Sequence, residues 1–344
     1  MTHNNNTGKI NTGVVVGIVI ALAIVLGIVS VVRYDATGEK GNGLSAEYQY
    51  DISEYAKIPP EMILYQQVGK TIPTGLKASH SIAVKQGIYV SGDTKIVKID
   101  NAGKMEKEII LESAPTCLVI DEEGVVIVGS NDAVTIFDET GTKRTQFVVP
   151  QKNAILSSIV LNEGLILCAD AANGLIYRYD QQGELVNIIG EKDPQMEDQE
   201  GFIIPSPYFD IAMASDGLLR VVDPGRHVIV AFTLDGHREW TWGTASPKVE
   251  GFSGCCNPVN IAILPDGSFV TAEKGLVRVK VYDAEGQFVG VVAGPEQLEW
   301  KGPLKVCDTP DQCQSKGFDV AVDEDGRIYV LDTVKNVVRI FEKK

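Results

Sequence analysis

Histidine is scarce, with four residues in 344, so each can be placed individually once the fold is known. Clusters of Lys and Arg are absent, and the net charge is −15. Nucleic-acid binding needs basic patches that release counterions, so a polyanionic partner is excluded. The chain has no C-x-x-C, no C-x-x-C-H, no G-x-S-x-G elbow and no phosphate-binding glycine loop. These absences remove thioredoxin-like centres, covalent haem, the hydrolase nucleophile elbow and nucleotide phosphate cradles. The acidic surface serves solubility first, with attraction of cations or basic partners second.

What the chain does have is 44% hydrophobic residues, enough for a large core in one or two domains. One apolar run stands out: residues 13–32, GVVVGIVIALAIVLGIVSVV, carry no charge. At 1.5 Å rise per residue that length spans a bilayer core. No small-residue cleavage site and no lipoprotein cysteine follow it, so an uncleaved signal anchor is expected, with cleavage the rival. Residues 1–12 then form a polar tail and 33–56 a tether. Lys9 precedes the run while Arg33 and Lys40 follow it, so charge gives no orientation. The short tail on one side and the folded mass on the other place the body outside the cytoplasm, periplasmic or at the cell surface.

Self-comparison reveals six copies of one pattern, beginning at SIAVKQGIYV (81–90) and ending at DVAVDEDGRIYVLD (319–332). Each is an apolar run, a polar turn closing in Gly, and a second apolar run, which is a hairpin. A third strand follows each time, and in five copies a further Gly turn and fourth strand. The sixth copy lacks its fourth strand, which MILYQQVG (62–69) would supply from the N-terminal side. An all-β, six-bladed β-propeller over residues 57–344 is the expectation.

The wording of the copies, with VVDPGRHVIVAFTLDG and YVLDTVKNVVRIF as the plainest examples, resembles the NHL-repeat propellers. The stretch GFSGCCNPVN (251–260) is similar to one in a group of bacterial propellers that share a GCCNP element. The resemblance implies the fold. NHL-type amidating lyases build a zinc site from three histidines, which this chain fails to match: His3 is in the tail, His227 and His237 fall on opposite faces, and only His80 is near the channel mouth. Lactonase-like six-bladed hydrolases hold a divalent cation at inner-strand starts, and Asp210, Asn260 and Asp319 are similar in type and place.

The turn glycines are spaced 37, 40, 53, 50 and 59 residues apart, whereas the two turns within copies three to five stay 19 apart. The excess length therefore lies in loops joining one blade to the next, all on one face, where binding residues accumulate. That face also receives the starts of the inner strands: Ser81, Cys117, Ser158, Asp210, Asn260 and Asp319. Oxygen donors converging there would suit Ca²⁺ or another divalent cation. A second acidic set, Asp170, Asp223, Glu273 and Asp332, ends the second strands and is expected to tie down local turns. Lys274 reads as half of a surface ion pair, and Trp240 with Trp242 as packing between blades.

Six cysteines remain to be placed. Cys168 is expected in the core, and Cys117 in the core or channel wall. Cys255, Cys256, Cys307 and Cys313 lie in two consecutive loops of the same face. Outside the cytoplasm the default is structural disulfides. A vicinal Cys255–Cys256 bridge would be a strained ring, since neighbouring Cα atoms sit about 3.8 Å apart. A four-thiolate metal site and redox-active thiols are the alternatives. Three functions follow: a membrane-tethered binding or scaffold subunit, a cation-dependent hydrolase or lyase at the mouth, and a redox partner subunit.

Overall fold

The computed structural model describes residues 17–26, 53–192, 200–302 and 317–344. Residues 17–26 form a helix, of about 15 Å at helical rise. Among the described residues no helix is long and apolar enough to cross a membrane, and the helix covers only part of the span expected over 13–32. The remainder of that run lies outside the described residues.

The body consists of six four-stranded antiparallel sheets. In sequence order they start at Ser79, Cys117, Leu156, Ile211, Asn260 and Phe318, here called blades 1 to 6. Their inner strands touch in a closed ring, blade 6 meeting blade 1. The outer strand of blade 6 is Tyr65–Pro73, which pairs with Val337–Lys343 near the other end of the chain. It begins three residues later than the sequence pattern suggests, because Pro60–Met62 turns in a 3₁₀ helix and leaves only Ile63 as an isolated bridge to Val291.

The second strands are buried almost along their whole length, as in Ile88–Gly92 and Leu219–Asp223. Covered on both faces, they read as continuous apolar runs rather than alternating ones. Outer strands such as Lys143–Val148 are largely exposed. The hairpin glycines have φ between 76° and 135°, a region that costs other residues strain. An Asp before many turns accepts backbone N–H bonds across it, as Asp121 does from Glu123 and Val125.

The core is not one body. It divides into six apolar layers, each shared by two adjacent blades. Trp240 and Trp242 of blade 4 belong to the layer against blade 5, where Trp242 stacks near Phe269, Phe252 and Tyr282. Ring closure by Tyr65–Pro73 is what lets the sixth layer form, since Ile72 packs within it.

Candidate functional site

Around the ring axis lies a cavity of about 1400 Å³. Its wall includes Ser81, His80, Cys117, Ser158, Tyr208, Asp210, Asn260 and Asp319. Asn260 and Cys117 open their strands, but Asp210 precedes its strand by one residue, and Ser81 and Ser158 are third in theirs.

Most of these polar side chains are spent on the neighbouring blade. The Asp319 carboxylate accepts the Ile82 N–H of blade 1 at 2.8 Å. Asp210 accepts the Ile261 N–H of blade 5 at 2.7 Å. Asn260 donates its amide to the Phe318 carbonyl of blade 6 at 2.6 Å, and Ser157 its hydroxyl to the Phe209 carbonyl ahead of blade 4 at 2.6 Å. Four of the six blade junctions are thus stapled at the mouth by one side chain to a backbone group. At the junction of blades 2 and 3 the Cys117 thiol fills the space beside Gly129 and Leu156 instead, and burial pushes it up to about 12.

The two staple carboxylates are electrically costly. Burial, then the charge of Asp319, lifts Asp210 to about 7 against the hydrogen bonds it accepts. Burial lifts Asp319 to about 6. Each of their four oxygens already accepts a backbone N–H, from Ile211, Ile261, Val320 and Ile82, and among the described residues no group of three His, Cys, Asp or Glu side chains is placed to hold a metal ion. Ca²⁺ takes six to eight oxygens, so this donor set would need water or a ligand to complete it. His80 is exposed at the wall, while His227 Nδ1 lies 3.1 Å from the Asn257 carbonyl and His237 is in the turn on the other face.

The second acidic set divides. Asp170 accepts N–H bonds from Ala172, Asn173 and Ile155 and a hydroxyl from Tyr177, closing its own turn. Asp223 and Asp332 cap theirs likewise. Glu273 leaves its turn and reaches into the cysteine loop, accepting both the N–H and the hydroxyl of Ser253. Its other oxygen is 2.5 Å from Lys280 Nζ, and both side chains are wholly buried. Lys280 also donates to the Val249 and Gly251 carbonyls, and its ammonium stands 4.5 Å from the Phe252 ring. Arg278 binds the Lys248 and Pro247 carbonyls of the same loop and the Tyr55 carbonyl, fixing the start of the body to this face.

This loop holds Cys255, exposed, and Cys256, buried. Their sulfurs are 3.4 Å apart and unbridged, so the disulfide expected among the four clustered cysteines is not present between these two. Cys307 and Cys313 lie outside the described residues. Cys168 is a fully buried core thiol. Lys274 is not at the surface: it is 6% exposed, donates to Ser206 and lies 4.4 Å from the Tyr208 ring. The sequence hid this because its partners, Ser206 and Tyr208, stand 66 or more residues away in the preceding inter-blade loop.

No family model matches the chain, and no curated protein matches it. Solved structures do. Virginiamycin B lyase from Staphylococcus aureus matches with a TM-score of 0.53 and 13% identity over 81% of this chain and 99% of its own. A streptogramin B lyase matches at 0.52 and 13% over 81% and 98%. A protein of unknown function from Bacteroides caccae matches at 0.50 and 16% over 64% and 82%. The fold is a six-bladed β-propeller. At these identities the likeness carries the fold alone.

Proposed function

We propose that this propeller is a binding or scaffold subunit, tethered to a membrane by residues 13–32 and displayed outside the cytoplasm, that takes a partner protein or small ligand at its loop-rich face. The observation that supports it is the use of the mouth: Asp210, Asn260 and Asp319 hold blades together, leaving a wide stapled cavity rimmed by long inter-blade loops. A rigid ring that displays loops is suited to recognition. The uncharged twenty-residue run supports the tether. The NHL-like wording of the repeats fits the same reading.

Site-specific photo-crosslinking in whole cells tests it. A crosslinker at exposed Ile203, on the loop-rich face, is expected to give a discrete product. One at Glu285, in a turn on the opposite face, is expected to give none. Equal products from both positions, or none from either, would overturn the assignment.

A second reading, the cation-dependent hydrolase or lyase, is favoured by one observation: two carboxylates facing one cavity are raised by burial, and one of them by the other. Positive charge would relieve both. Calorimetric titration of the full chain with Ca²⁺ and with Mn²⁺ separates the readings, since binding lost in Asp210→Asn would favour the enzyme. Two of the structural neighbours are lyases, and at their identity that activity stays with those proteins.

A further inference from the structure

The stretch Phe252-Ser-Gly-Cys-Cys-Asn257 is held by more buried polar contacts than any task described so far requires. Glu273 grips Ser253 through its N–H and hydroxyl. Asn257 donates to the Ser253 carbonyl at 2.6 Å, closing the turn around the two cysteines. The same amide donates to the Lys274 carbonyl at 2.9 Å and accepts the Lys274 N–H at 3.0 Å, as a second strand would. His227 reaches the Asn257 carbonyl from blade 4. Gly254 takes φ of +82°, which a side chain would strain, so the turn places the cysteines immediately after it. None of these contacts involves sulfur.

The two thiols differ in access. Cys255 is exposed and Cys256 is 2% exposed, and their sulfurs sit at 3.4 Å, near van der Waals contact. Tyr208 lines the cavity, with the Lys274 ammonium 4.4 Å from its ring. An accessible sulfur in contact with a shielded one is the arrangement thiol–disulfide exchange uses, one attacking and one resolving. Buried thiols elsewhere lack it: Cys117 and Cys168 are both enclosed and lie in the wall and core.

We propose that Cys255 and Cys256 form a redox-active vicinal dithiol that exchanges with low-molecular-weight disulfides. The Cys255 thiolate attacks one sulfur of the incoming disulfide, forming a mixed disulfide and releasing the first thiol. The Cys256 thiolate then attacks Cys255 Sγ, closing an eight-membered ring and releasing the second. The pair gives up two protons and two electrons, and the incoming disulfide is reduced to two thiols. The reverse sequence regenerates the dithiol. This activity stands apart from whatever the cavity binds.

The test uses the full-length chain equilibrated in glutathione buffers of graded ratio, trapped by alkylation, and cut after lysine. The fragment 249–274 contains both cysteines and no other. A bridge within it removes two hydrogens and blocks both alkylations. The expected result is a sigmoidal conversion of this fragment across the buffer series, reversed by reductant. Both thiols alkylated at every ratio would overturn the proposal. So would fragment 249–274 linked to fragment 306–316, which carries Cys307 and Cys313. The Cys256→Ser variant is expected to accumulate glutathione on Cys255 to at least tenfold the wild-type level, because the resolving thiol is gone. Accumulation equal to wild type would assign Cys256 no resolving part.

Discussion

Blades 3 and 5 end their second strands with an acid at the same place, Asp170 in one and Glu273 in the other, and both are wholly buried. Asp170 satisfies Ala172, Asn173 and Tyr177 of its own blade and one N–H, that of Ile155, in the loop before it. Glu273, one methylene longer, overshoots the turn and meets Ser253 in the neighbouring loop, twenty residues earlier. Its charge is balanced by Lys280 from the next strand rather than by turn N–H groups. A repeat that caps itself in blade 3 has become, in blade 5, a clamp on the cysteine loop. Reaching the preceding loop is common to the set, since Asp223 accepts the Ile203 N–H twenty residues earlier; what sets Glu273 apart is that its second oxygen meets a buried Lys280.

The largest expected effect of a single substitution breaks the clamp. Glu273→Ala leaves the Lys280 ammonium buried without its carboxylate and frees Ser253, and should cost about 3–5 kcal/mol of stability by urea denaturation. It should also raise the alkylation rate of Cys256, because the loop loses its anchor. The double variant Glu273→Leu/Lys280→Met removes both charges and should recover much of the stability but not the slow alkylation. Recovery of both would mean that packing, and not the Ser253 contacts, holds the loop.

Asp170→Ala tests the other side of the comparison. It strips the blade 3 turn of its acceptor and leaves the Tyr177 hydroxyl unpaired, for about 1–3 kcal/mol. Reactivity at Cys255 and Cys256 should not change. An altered rate there would show that the turn caps act on the cysteine loop through the ring, and the contrast between the blades would fall.

The staple acids extend the contrast to the mouth, where buried carboxylates are met by backbone N–H groups. With Asp210 near 7 and Asp319 near 6 in the folded chain, against about 3.9 unfolded, the folded state binds more protons between those limits. Their contribution is full below about pH 4 and is lost as pH rises through 6 and 7. Stability should fall by several kcal/mol, about 7 at most, across that window, measured as a urea midpoint at each pH. Asp210→Asn with Asp319→Asn keeps an acceptor oxygen for Ile261 and Ile82 and should flatten the slope.

The ring was legible because its signals are local: a Gly turn between two apolar runs, repeated six times, is read within about fifteen residues. The starts of the inner strands were legible to within two residues for the same reason. What those residues do was not, since Asp319 binds Ile82 across 237 positions and Asp210 binds Ile261 across 51. Read as converging ligands, they are mostly staples, because a side chain at an inner-strand start meets the next blade's backbone before it meets the axis. Glu273 carried one visible signal, the only Glu in a set of Asp, while its distinguishing partner, Lys280, lay in the next strand.

The smallest expected effect compares the same ion-pair chemistry at the two ends of the ring. On the turn face Lys85 of blade 1 bridges Glu122 of blade 2 and Glu324 of blade 6, each at 2.6–2.7 Å. By distance these pairs match Lys280–Glu273. Both glutamates are more than four-fifths exposed, however, so water already solvates the charges and salt screens them. Lys85→Met should therefore cost no more than about 1 kcal/mol, and the difference from wild type should shrink in high salt. Glu273→Ala should keep its cost in the same salt, because no ion reaches a wholly buried pair. If the two variants respond to salt alike, solvent enters the blade 5 clamp, and its distinction from the surface pairs is one of geometry alone.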